Sequence, residues 1–198
     1  MGQSNINIAA LIGSRICHDL ISPIGAINNG LELLGMAGHA PGPEMDLIQE
    51  SVGNASARIR YFRIAYGAAG DQKMGRAEVV SILQDLMRGG RLDVAWGPLD
   101  PQPRGDVRMA FLALQCLESA MPYGGRVEIS RQDDSWQLHG RADKLNIVDE
   151  LWSILATRDA PCTLRPAEVQ FALLPLIAAD DGRRIVTELA DTEIKVRF

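Results

Sequence analysis

The stretch Arg15-Ile-Cys-His18-Asp19-Leu-Ile-Ser22-Pro23-Ile-Gly25-Ala-Ile-Asn28-Asn29 decides the reading of this chain. Apolar residues recur at Ile16, Leu20, Ile24, Ile27, Leu31 and Leu34, a three-to-four spacing that predicts one long helix with one apolar seam. At about 100° per residue, His18 falls on the face opposite that seam. Arg15, Ser22, Gly25 and Asn29 share its face. A histidine there faces solvent, and small neighbours leave room for an approaching partner. Asp19 follows directly, and its carboxylate can accept from an imidazole N–H and fix the tautomer. Pro23 is expensive inside a helix, about 3 kcal/mol, and predicts a kink one turn after His18. A lone helical histidine is usually plain surface. A costly proline beside it, with glycine and serine on the same face, points to function.

Working outward, the segment from Gly35 to Pro43 holds glycines and prolines in the manner of a helix–helix turn. Pro43 suits the first turn of the next helix, where a missing N–H costs nothing. That helix carries Met45, Ile48, Val52, Ala55, Ile59, Phe62 and Tyr66 in strict alternation of three and four. Two such helices cannot bury both seams alone. An antiparallel hairpin pairing with a second copy makes a four-helix bundle, so a homodimer is expected.

After Gly67–Gly75, read as a linker, the pattern changes. Helices are expected at Glu78–Met87, Val107–Met121, Ile147–Ala156 and Pro166–Ala179. Strands are expected at Arg91–Trp96, Val127–Gln132, Trp136–Gly140, Arg184–Leu189 and Glu193–Phe198. Gly97–Arg104 reads as a loop, and the helix over 107–121 as amphipathic. The chain is thus α+β, with a helical hairpin over 1–70 and an α/β layer of four or five strands over 76–198.

Composition agrees. The chain has 198 residues, a net charge of -5, 46% hydrophobic and 5% aromatic residues. That excludes a disordered chain, a base-stacking platform and a general phosphate-backbone binder. The longest uncharged apolar stretch, Phe171–Ala179, falls far short of the roughly 20 residues of a membrane span. The N-terminus shows neither a signal-peptide nor a myristoylation pattern. Cys17, Cys116 and Cys162 are expected to be buried thiols in a reducing cytoplasm. His39 and His139 read as structural or surface, and no histidine–cysteine pair has metal-ligand spacing.

The segment His18-Asp-Leu-Ile-Ser-Pro23-Ile resembles the H-box of two-component histidine kinases, His-[Glu/Asp]-Leu-x-x-Pro-[Leu/Ile]. The second part resembles the ATP-binding domain of those proteins in degenerate form. Leu112–Val127 is similar to its asparagine-bearing helix, with Cys116 at the asparagine position. The Asp-x-Gly-x-Gly box is absent at Asp143, Asp149 and Asp159. Phe171–Ile185 is similar to the last helix and turn, but Arg165–Gln170 before it holds no glycine. A phosphate cradle needs such glycines for backbone N–H groups to approach.

A kinase-like chain of this kind resembles the ChpT-type histidine phosphotransferases of alphaproteobacteria. The resemblance implies a dimeric bundle followed by a degenerate ATPase-like α/β sandwich. It implies that His18 carries a phosphoryl group between receiver-domain aspartates of a hybrid kinase and of response regulators, of the CtrA and CpdR kind. Asp19 would be its orienting neighbour, with Arg15, Ser22, Pro23, Gly25 and Asn29 shaping the docking face. No ATP or metal would be held by this chain, the receiver supplying Mg²⁺. A receiver-docking scaffold or a response-regulator phosphatase is the competing expectation.

Overall fold

The computed structural model describes residues 2–37, 42–67, 70–157 and 164–198, with side chains from residue 12 onward except 13, 14, 17, 18, 21 and 37. Helix α1 runs Gly2–Ala37, with Pro23 inside it, and α2 runs Pro43–Ala65. Pro43 opens α2 as its sequence position requires, and Glu44 and Asp46 complement the helix dipole there. Gly35 and Met36 are still helical, so the breaker acts later than its first glycine. Most of its remainder, with His39, lies outside the described residues. The hairpin closes most tightly at Gly30, where a Cβ would stand 2.5 Å from Ile48 Cγ1.

Next come β1 (Lys73–Met74), α3 (Arg76–Met87), β2 (Leu92–Trp96), β3 (Gln102–Pro103) and α4 (Arg104–Ala120). They are followed by β4 (Gly125–Gln132), β5 (Ser135–Arg141) and α5 (Asp149–Ala156). A 3₁₀ turn (Pro166–Glu168), α6 (Val169–Asp180), β6 (Val186–Leu189) and β7 (Glu193–Arg197) complete the order. Five strands form one sheet in the order β2-β4-β5-β7-β6, with β2 and β4 parallel and the other neighbours antiparallel. The strands β4 and β5 meet at a tight turn, where Asp133 takes a φ of 52°.

Two expected irregular segments carry structure. Lys73–Met74, inside the expected linker, pairs antiparallel with Gln102–Pro103, inside the expected loop. Two-residue strands show no alternation, so hydrophobic pattern could not reveal them. The main sheet has the five strands expected of the α/β layer, and this short pair adds two more.

The sheet buries one face. Val127, Ile129, Trp136, Leu138, Ile194 and Val196 point inward and are shielded from solvent. The other face carries charge: Arg126 pairs with Asp93 and Glu128, and His139 Nε2 lies 3.1 Å from Glu193 Oε2. This polar-out alternation is usual for a sheet covered on one side.

Helix α4 is the centre of the molecule. From Val107 to Leu117 every residue except Arg108 is buried. The inward residues of the expected amphipathic helix, Val107, Phe111, Leu114, Leu117 and Met121, are buried, and Met109, Leu112 and Cys116 are buried with them because the helix is covered twice. Sheet residues cover one side, where Gly140 leaves space for Leu117; α2 and α6 cover the other. Tyr61 of α2 stacks on Phe111 at 4.5 Å and donates its hydroxyl to the Phe111 carbonyl at 2.6 Å. Asp106, at the start of α4, is buried between Arg183 (2.9 Å) and Arg131 (3.7 Å), which ties the helix to the turn after α6 and to β4.

The α2 seam divides as a consequence. Phe62 is buried and Tyr66 half-buried against the same chain, Tyr66 donating to Gln115 Oε1 at 2.7 Å. Both had been expected in a uniform bundle seam. Ile16 likewise packs on the chain's own core. Farther along the hairpin the seam stays uncovered: Ile59 is 53% exposed, Leu31 55% and Val52 47%.

Candidate functional site

Helix α1 carries every candidate residue, and helical spacing sets their order along it. The backbone of His18 sits in continuous helix; its side chain, like that of Cys17, lies outside the described atoms. Asp19 is 10% exposed and Arg15 14%. Arg15 Nε donates to Asp19 Oδ2 at 2.7 Å, and its Nη1 donates to the carbonyl of Ala167 at 2.7 Å. The arginine expected to flank a docking surface therefore lies between α1 and the 3₁₀ turn before α6. Ser22 and Asn29 are exposed and Pro23 is buried. A Cβ on Gly25 would meet nothing within 4 Å, so this glycine leaves open space and serves no close packing.

Between α1 and α2 lies an open groove of about 250 Å³. Asp19, Ser22 and Pro23 line it from α1, and Leu47, Asn54 and Arg58 from α2. Its lining is mixed: Glu50 and the buried Ser51 add polar groups, and Ala26 and the exposed Leu47 add apolar ones. Arg58 Nη1 stands 3.8 Å from Asp19 Oδ2, and Arg58 Nε donates to Asn54 Oδ1 at 2.9 Å. Spacing along the chain could not reveal Arg58, because its proximity to Asp19 arises only when the hairpin closes.

Charges from three helices act on one another here. Burial works against the Arg15 guanidinium, but Asp19, Tyr66 and Glu118 outweigh it and raise its pKa. Loss of water around Glu118, on α4, raises its carboxyl above the ordinary range, while Arg15 and Arg58 pull it back. Much of that side chain still reaches solvent, which limits the shift. Burial lifts the Tyr66 phenol to about 12.

The second part offers no comparable chemistry. Cys116 is fully buried in α4, and burial pushes its thiol well up, as for an inert core cysteine. Asp159 and Cys162 lie outside the described residues. Among the described residues no group of His, Cys, Asp or Glu could hold a metal ion. No described helix is long and apolar enough to cross a membrane.

A family model, the histidine phosphotransferase C-terminal domain, matches residues 76–193, more than half of the chain. The chain belongs to the histidine phosphotransferase family. The match begins where α3 begins and leaves the hairpin with His18 outside it. Protein phosphotransferase ChpT of Brucella abortus (strain 2308) is 39% identical over 129 residues, 64% of this chain and 61% of that protein. A solved structure described as a bacterial phosphotransferase at 1.7 Å superposes with a TM-score of 0.79 and 29% identity. That superposition covers 97% of this chain and 95% of the other, so the hairpin and the sheet are shared with a phosphotransferase as one arrangement.

Proposed function

We propose that this chain relays phosphoryl groups in two-component signalling, with His18 as the phosphoacceptor. The observation that carries the reading is the His18-Asp19-Leu-x-x-Pro23 segment lying on α1 beside an open groove, in a member of the histidine phosphotransferase family. The groove's mixed polar and apolar lining suits docking of a receiver domain, and Ser22 and Asn29 are open to a partner. The receiver of a hybrid kinase would donate, and response regulators of the CtrA and CpdR kind would accept. The receiver brings the aspartate and the Mg²⁺ that neutralises charge in flight.

The unit is a homodimer. Ile24, Leu31, Val52 and Ile59 form an apolar face that the chain's own fold leaves open, and a second hairpin would cover it. Residues 76–198 are a degenerate ATPase-like domain that does not bind nucleotide. Cys116 stands where the resemblance calls for a metal-coordinating asparagine, and it is buried with no access to a ligand. Residues 1–70 are the dimerising and phosphotransfer hairpin, and the protein works in the cytoplasm.

The test is phosphotransfer from a labelled receiver domain to the full chain. Acid-labile label on the wild type and none on His18→Ala is the expected result. Absence of label on the wild type, or full label on His18→Ala, overturns the reading. If the receiver instead loses phosphate without any labelled chain, the phosphatase reading takes its place; if it binds and keeps its phosphate, the scaffold reading does.

A further inference from the structure

We propose that Arg58, on α2, is the cation of this chain that holds the phosphoryl group while it resides on His18. The assignment rests on the relay reading above. It starts from the groove. Asp19 follows His18 directly and Ser22 stands one helical turn after it, so the groove that both line opens next to the histidine's position on α1. Arg58 closes that groove from the opposite helix.

Two arginines approach Asp19, and they differ in what they have left to give. Arg15 is 14% exposed and already commits Nε to Asp19 and Nη1 to Ala167. Arg58 is 35% exposed. Its Nε is used by Asn54, which fixes the side chain along α2. Its Nη1 stands 3.8 Å from Asp19, beyond hydrogen-bond length, and its terminal nitrogens make no hydrogen bond among the described residues. Arg58 is thus anchored through Nε, while its fork makes a long 3.8 Å ion pair with Asp19 that leaves it able to bond a closer anion. A planar guanidinium fork matches a tetrahedral phosphoryl group well.

The transfer creates the need for such a group. The unprotonated ring nitrogen of His18 supplies the electron pair of the new P–N bond. The P–O bond to the receiver aspartate breaks, and its electron pair leaves on that carboxylate; no proton moves in the step. While the receiver is bound, its Mg²⁺ balances the phosphoryl charge. When the receiver departs, the metal goes with it, and a group of about -2 charge remains beside Asp19. Without a cation from this chain, the phosphohistidine would sit against a carboxylate. Arg58 removes that conflict and shifts the phosphoryl partition toward this chain.

The experiment is the equilibrium distribution of label between full-length chain and a receiver domain already shown to transfer to the wild type. Arg58→Gln should lower the labelled fraction of the chain roughly tenfold, as for the loss of one charge-assisted contact, and Arg58→Lys should recover part of it. Lysine keeps the charge but not the Asn54 anchor, so a purely structural role for Arg58 would show no recovery. Arg58→Gln with the wild-type partition, or Arg58→Lys as poor as Arg58→Gln, overturns the assignment while leaving the relay standing. A wild type that takes no label overturns the relay itself, and the assignment with it.

Discussion

Arg15 Nη1 donates to the carbonyl of Ala167 at 2.7 Å, joining α1 to a turn 152 residues later. The same guanidinium holds Asp19, the neighbour of His18, through Nε at 2.7 Å. One side chain therefore contributes both to the seating of the second part on α1 and to the orientation of Asp19. Arg15→Ala should lower stability by about 1–3 kcal/mol, since it removes a charge-assisted hydrogen bond to a carboxylate and another to a carbonyl. It should also slow phosphotransfer at saturating receiver. Arg15→Lys should not restore the rate, because a compact ammonium does not reproduce a fork with two fixed directions. Urea unfolding followed by the fluorescence of Trp96, Trp136 and Trp152, with single-turnover transfer kinetics, checks both. Wild-type kinetics in Arg15→Lys would show that the fork geometry is irrelevant.

Leu31 and Ile59 are 55% and 53% exposed in the single chain. A charge at either position costs the isolated fold little, but it would be buried without a partner once two hairpins meet. Leu31→Asp and Ile59→Asp should therefore yield folded monomers. Light scattering coupled to size exclusion gives the mass, and circular dichroism confirms the helices. An undisturbed dimer in both variants would remove these residues from the seam.

The hairpin was legible because its apolar residues repeat over many turns and Pro43 marks a helix start. Strands β4 and β5 were legible for a similar reason, alternation across a two-residue turn. What escaped was fixed by contacts far apart in sequence. Residues 73–74 and 102–103 pair as strands too short to carry a pattern. Helix α4 looked amphipathic because Arg108 and Glu118 are polar, yet α2 and α6 cover the side that was expected to be wet. At the site, His18, Asp19 and Pro23 stood out through their order along one helix. Arg58, Glu118 and Ala167 could not, because each comes from a different element and meets Asp19 or Arg15 only in the folded chain.

Cys116 tests whether one residue or a whole loop set separates this domain from a nucleotide-binding one. The cysteine is fully buried, packed in the middle of α4. Cys116→Asn puts an amide among apolar neighbours, a change that costs about 1–3 kcal/mol without hydrogen-bond partners. It supplies no glycines to residues 165–170, where a cradle for phosphates would have to form. Isothermal calorimetry with Mg-ATP should show no heat of binding for either the wild type or the variant, and the variant should unfold at lower urea. A saturable heat in the variant would mean that the cradle survives in another form.

Tyr66 sets an alkaline limit on the junction between the hairpin and α4. Its hydroxyl donates to Gln115 Oε1, and burial raises its pKa from 10.0 to about 12. A raised pKa means that the folded state holds the proton more tightly than the unfolded chain. The associated stability is complete below pH 10 and is lost as pH rises toward 12, by up to about 2.5 kcal/mol for this one group. Tyr66→Phe removes the titration and leaves Gln115 without its donor. The variant should be less stable than the wild type at pH 8, and the gap should narrow as pH rises from 10 to 12. Urea midpoints measured at intervals across that range give the gap directly. A constant gap would mean that Tyr66 ionises in the folded protein as it does in the unfolded one.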